Sequence, residues 1–73
     1  MTKPVDEVVF LVEEAPEGGY TARALGVSIF TEADNMRQLR SQVVDAVRCH
    51  FTDEPAQPRL IRLHSVKDEL IKV

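Results

Sequence analysis

Three side chains in this sequence have the chemistry of a nucleophile or a metal ligand: Cys49, His50 and His64. Thiolate catalysis needs an imidazole within hydrogen-bond reach of the sulfur, to take its proton. Cys49 and His50 are adjacent, and neighbours on a helix point about 100° apart, so they do not face each other. A zinc site asks for a fourth ligand and a recognisable spacing. Neither is present among these three. The remaining candidates are carboxylates. A nuclease working through two metal ions needs several acids converging from strand interiors. Asp6 and Glu7 stand at one end of the apolar run Val8-Val9-Phe10-Leu11-Val12, Glu13 and Glu14 at the other, and no acid lies within it. A small metal-dependent nuclease is therefore the weakest reading, and solvated acids at the strand ends are the expectation. No catalytic, cofactor-binding or metal-binding residue is assigned, and the protein is expected not to be an enzyme.

These residues are held by a succession of short elements. Glu7 to Glu13 is rich in β-branched and aromatic residues, which favour a strand. Val8, Phe10 and Val12 fall on one face and Val9 and Leu11 on the other, so both faces need cover, as in an interior strand. Glu13 to Gly19 contains Pro16 and the pair Gly18-Gly19, which reads as a hairpin connection. A second strand from Tyr20 to about Leu25 is broken by Gly26. A third spans Val27 to Thr31, with Val27, Ile29 and Thr31 opposite Ser28 and Phe30.

Asn35 with Gln38 three residues on is a capping-box pattern, and it predicts a helix from Met36 to about Phe51. Met36, Leu39, Val43, Val44, Ala46, Val47, His50 and Phe51 share its apolar arc. Cys49 falls off that arc as an incidental thiol. His50, close to the helix C-terminus, is expected to bond to backbone there and to be favoured by the helix dipole. Thr52 to Pro58 is a loop, and Arg59 to about Val66 a fourth strand with Ile61 and Leu63 opposite Leu60, Arg62 and His64. The tail from Lys67 to Val73 is expected to be extended.

This order predicts an α+β fold: β-β-β-α-β, a mixed four-stranded sheet of order 3-2-1-4, with one helix on one face. The helix can cross over so that strand four lies parallel to strand one, and the crossover is expected to be right-handed. With 73 residues the chain is expected to be a single domain spanning residues 1–73. That length excludes Rossmann and barrel enzymes, which need far more chain. At 44% hydrophobic and 29% charged the composition is globular, and one cysteine offers no disulfide to reinforce a small core. A single helix covers a single sheet face, while the first strand is apolar on both. The chain is thus expected to pair with itself, as a homodimer or higher oligomer, unless the loop and tail shield the open face. The candidate interface residues are Val9, Leu11, Tyr20, Phe30 and Leu63.

The net charge of −3 is unevenly placed: residues 1–34 carry −5 and residues 35–73 carry +2. The acidic half suits a basic, RNA-binding partner, and the basic half lacks the clustered cations and stacking aromatics of a nucleic-acid site. The apolar run of five residues is far short of the roughly 20 that span a bilayer, and the N-terminus has no signal-peptide pattern. A lone thiol fits a reducing compartment, so a cytoplasmic location and no membrane partner are expected.

The strand followed by Glu17-Gly18-Gly19-Tyr20, the step Leu25-Gly26 and the helix start Asp34-Asn35 together resemble the HicB antitoxin family over about residues 7–64. Leu25 stands where that family usually has Pro, Ala33 where it has Gly, and Asn35 where it has Thr. The resemblance implies a partial RNase H-like fold without RNase H activity. It further implies an antitoxin core that binds and neutralises a small HicA-type toxin, an mRNA-cleaving protein of double-stranded-RNA-binding fold. Longer members carry a C-terminal DNA-binding segment; the sequence ends at Val73 without one, so operator binding is not expected. The alternative is an orphan homo-oligomeric interaction domain with no toxin partner.

Overall fold

The computed structural model describes residues 7–52 and 57–73. In chain order these form β1 (Glu7–Glu14), β2 (Tyr20–Ala24), β3 (Phe30–Ala33), α1 (Met36–His50) and β4 (Leu60–Val66). The strands make one sheet in the order β3-β2-β1-β4. β1 pairs antiparallel with β2, β2 antiparallel with β3, and β4 parallel to β1. The α+β class, the strand order and the single helix are those the sequence predicts.

β1 has a paired strand on each side, so its backbone donors and acceptors are met within the sheet. Its side chains alternate: Val8, Phe10 and Val12 are buried beneath the helix, and Val9 and Leu11 are half-buried on the far face. The turn to β2 closes with the Gly18 N–H donating to the Ala15 carbonyl and the Ala15 N–H donating to the Gly19 carbonyl, each at 3.0 Å. Gly19 sits at φ +85°, and a Cβ added there would lie 2.8 Å from the Ala33 carbonyl oxygen. Glycine is required at that point twice over, by its backbone angle and by the approach of β3.

The third strand begins at Phe30 rather than Val27 and runs on to Ala33. The Ala24 N–H donates to the Ile29 carbonyl at 2.9 Å and the Ile29 N–H to the Val27 carbonyl at 3.1 Å. Residues 25–29 are thereby used up in a reversal around Gly26, whose φ is +96°. The expected division of faces survives this shift: Ile29 is buried, Thr31 pairs with buried Ala22, and Phe30 points away.

Asn35, in extended conformation, accepts the Gln38 N–H on its side-chain oxygen at 2.9 Å. Such a cap contributes about 1 kcal/mol. The reciprocal bond from the Gln38 side chain is absent among the described residues, so half of the capping box forms. Leu39, Val43 and Val47 are the buried helix positions, and the helix lies against β2 and β3. With Val8, Phe10, Val12, Ala22, Ala24 and Ile29 they make the core, and Phe10, Leu39 and Val43 are its largest fully buried side chains.

Two expectations are corrected at the chain's later part. The helix ends at His50, one residue early, and His50 is exposed rather than on the buried arc. Burial recurs every four residues at Leu39, Val43 and Val47, so Phe51 takes the next place against the core. His50 is left outside with its ring edge-on to Phe51, centroids 4.8 Å apart. The last-turn carbonyl of Arg48 is met by the Thr52 hydroxyl at 2.8 Å, not by His50. The expected loop from Thr52 to Pro58 lies partly outside the described residues. Residues 67–73 form neither helix nor strand, and they do not shield the sheet: Leu70 is 100% and Ile71 77% exposed.

Candidate functional site

The sheet face away from the helix is assembled by register. Leu11 has Arg23 of β2 on one side and His64 of β4 on the other, and Phe30 of β3 lies beyond Arg23. One step toward the start of β1, Val9 is flanked by Arg62, and the Leu25 N–H donates to the Val9 carbonyl. One step the other way, Glu13 is flanked by Thr21 and Val66, with Glu32 beyond Thr21. This face is therefore an apolar patch crossed by cations at its middle and edged by acids at one end. Val9 and Leu11 are half-buried by neighbouring side chains, whereas Phe30 is 62% exposed.

Of the five candidate interface residues, Val9, Leu11 and Phe30 share this open face. Tyr20 and Leu63 do not. Tyr20 pairs with Ala33 and Leu63 with Phe10, both on the helix side, and both pack against the core. Strand pairing decides this, because side chains directly across a pair point the same way. Leu60, 61% exposed, belongs to the open face and was not singled out in the sequence.

A bidentate ion pair also crosses this face. Arg62 donates through Nε to one Glu7 oxygen at 2.6 Å and through a terminal nitrogen to the other at 3.3 Å. This hydrogen bond, reinforced by charge, holds the Glu7 carboxyl below the ordinary glutamate range despite some desolvation. The same bond raises Arg62. The pair was not foreseen, since it needs the parallel register that sets Arg62 beside Val9, diagonal to Glu7. His64 is exposed on this face and Cys49 is exposed on the helix, so the sheet lies between the thiol and that imidazole.

The acids gather at one end of the sheet. Glu13, Glu14, Glu17, Glu32 and Asp68, with Lys67, line an open depression of about 450 Å³ beside the β1–β2 turn. Asp34 borders a smaller one next to it. Glu7 is at the opposite end of β1, about 20 Å from Glu13 at strand spacing. The residue before it, Asp6, lies outside the described residues. No group of three or more His, Cys, Asp or Glu among the described residues is placed to share a metal ion. Nor is any helix among them long and apolar enough to cross a membrane.

No family model matches the chain, and no solved structure matches it. Two curated proteins do. A UPF0150 protein of Archaeoglobus fulgidus is 55% identical over 56 residues, covering 77% of this chain and 82% of that one. A UPF0150 protein of Thermotoga maritima is 42% identical over 67 residues, covering 92% and 93%. Identity at that level over most of both chains shows the family: the chain belongs to the UPF0150 family.

Proposed function

We propose that this protein is a non-enzymatic binding module, a HicB-like antitoxin core that holds a small basic HicA-type toxin. The observation that carries this reading is the acidic end of the sheet. Five carboxylates and one lysine line a depression there, at the β1–β2 turn and the strand ends. Such a surface draws a basic partner by its field and rejects nucleic acid by the same field. The strand order and the Glu17-Gly18-Gly19-Tyr20 turn agree with the family resemblance that suggested the partner.

The test is binding. A HicA-type toxin encoded beside this protein should be captured by it, and its mRNA cleavage suppressed. Charge reversal at Glu13, Glu17 and Glu32 together should weaken capture at least tenfold, and more at low salt than at high. Failure of the purified protein to bind or inhibit such a toxin would sink the antitoxin reading. Ribonuclease assays of the protein alone, with Mg²⁺ or Mn²⁺, should stay at blank.

A second reading has its own observation. Val9, Leu11 and Phe30 form an apolar patch that nothing in the described chain covers, and this favours a homo-oligomeric interaction domain. The two readings use adjoining parts of one face, since Glu13 and Glu32 edge the side of the sheet that carries Val9, Leu11 and Phe30.

A further inference from the structure

Two unsatisfied apolar features lie on this molecule, and each lacks what the other has. One is the open sheet face, with Val9, Leu11 and Phe30 and no layer over it among the described residues. The other is the segment after β4. Its Leu70 and Ile71 are 100% and 77% exposed, so neither is sequestered by the rest of the chain. We infer that residues 67–73 form an arm that lies across the open face of a second copy of this chain, reciprocally, in a twofold dimer. The inference rests on the self-association reading of the open face and specifies how that association is built.

Geometry favours a second copy over the chain's own face. β4 runs parallel to β1, so the arm leaves the sheet at the Glu13 end, next to Val66, which pairs with Glu13. To return over its own Val9 and Leu11 it would have to reverse at once. Lys67-Asp68-Glu69 offers neither Gly nor Pro for such a turn, and in the structure it makes none. Charge is complementary as well. The acids Asp68 and Glu69 precede the apolar pair, and Arg23 flanks Leu11 on the receiving face. Arg23 has no ion-pair partner among the described residues.

Area points the same way. A four-stranded face is about 19 Å across and about 23 Å long, on the order of 450 Å². That is short of the roughly 800 Å² each partner gives to a standard interface. A seven-residue arm drawn out spans about 23 Å and adds on the order of 250 Å² at a width of about 10 Å. Face and arm together approach the required area; the face alone does not.

Sedimentation equilibrium of the full chain should give a dimer at micromolar concentration. The double variant Leu70→Asp/Ile71→Asp should raise the dimer dissociation constant about 100-fold or more. Its circular dichroism in dilute solution should be unchanged, because both side chains are exposed within the protomer. Cross-linking then identifies the acceptor, in a Cys49→Ser background. Protomers with Leu11→Cys mixed with protomers with Ile71→Cys should form a disulfide between chains under mild oxidation. A chain carrying both substitutions that closes on itself as a monomer would overturn the inference, as would no cross-link at all. A wild-type dimer whose affinity ignores Leu70→Asp/Ile71→Asp would remove the arm and leave self-association standing. A wild-type monomer at 100 µM, about the upper range for a working interface, would remove both.

Discussion

Gly18 and Gly19 adjoin in sequence, and both have φ in the left-handed region, yet their surroundings differ. Nothing lies within 4 Å of a Cβ built at Gly18, whereas one at Gly19 would strike the Ala33 backbone oxygen at 2.8 Å. Gly18→Ala should therefore cost about 1 kcal/mol, the strain of its backbone angle alone. Gly19→Ala should cost about 2–3 kcal/mol, because the strand carrying Ala33 must also retreat. Urea unfolding of the two variants reads the difference, and equal losses would contradict the contact. The sequence marks this pair as a turn without ranking its members. The ranking depends on β3, which reaches the turn only after the sheet has formed.

Among the elements, β1 and β4 are tied at one end by Glu7 and Arg62, residues far apart in the chain. The Glu7 carboxyl is held below its ordinary value in the folded state, first by the hydrogen bond from Arg62. A group so depressed adds stability that is fully present above its unfolded pKa, about 4.3, and is lost as pH falls through the folded value. The stability difference between wild type and Glu7→Gln should thus be constant from pH 5 upward and shrink toward pH 3. The pair is exposed, so added salt should reduce that difference. A difference unchanged by acid would show that the pair contributes nothing. The helix is the element most legible in advance. Its cap at Asn35 and the four-residue recurrence of Leu39, Val43 and Val47 are local properties of the sequence. The third strand was less legible: Val27 and Ile29 have strand-like side chains, but hydrogen bonds around Gly26 draw them into the turn. His50 was misplaced for a similar reason, since Phe51 competes for the same site against the core.

At the scale of the whole molecule the chain is short of cover. Among the described residues one helix shields one sheet face, and the nine buried core residues all belong to that side or to the helix. If association completes the fold, stability must depend on concentration. The melting temperature should rise by a few degrees for each tenfold increase in protein, and Leu11→Asp should abolish the rise while Asp45→Ala leaves it intact. A melting temperature independent of concentration would mean that the protomer is stable alone. The sequence by itself determined the element order, the sheet order, the faces of β1 and the helix cap, because these follow from periodicity, turn residues and a short list of allowed connections. Only the tertiary structure decided which candidate interface residues share a face, sending Val9, Leu11 and Phe30 outward and Tyr20 and Leu63 under the helix. It alone gathered Glu13, Glu17, Glu32 and Asp68 around one depression, and paired Glu7 with Arg62. Those are facts of register: a strand alternates its side chains unaided, but which side chains stand together across a sheet is fixed when its strands pair.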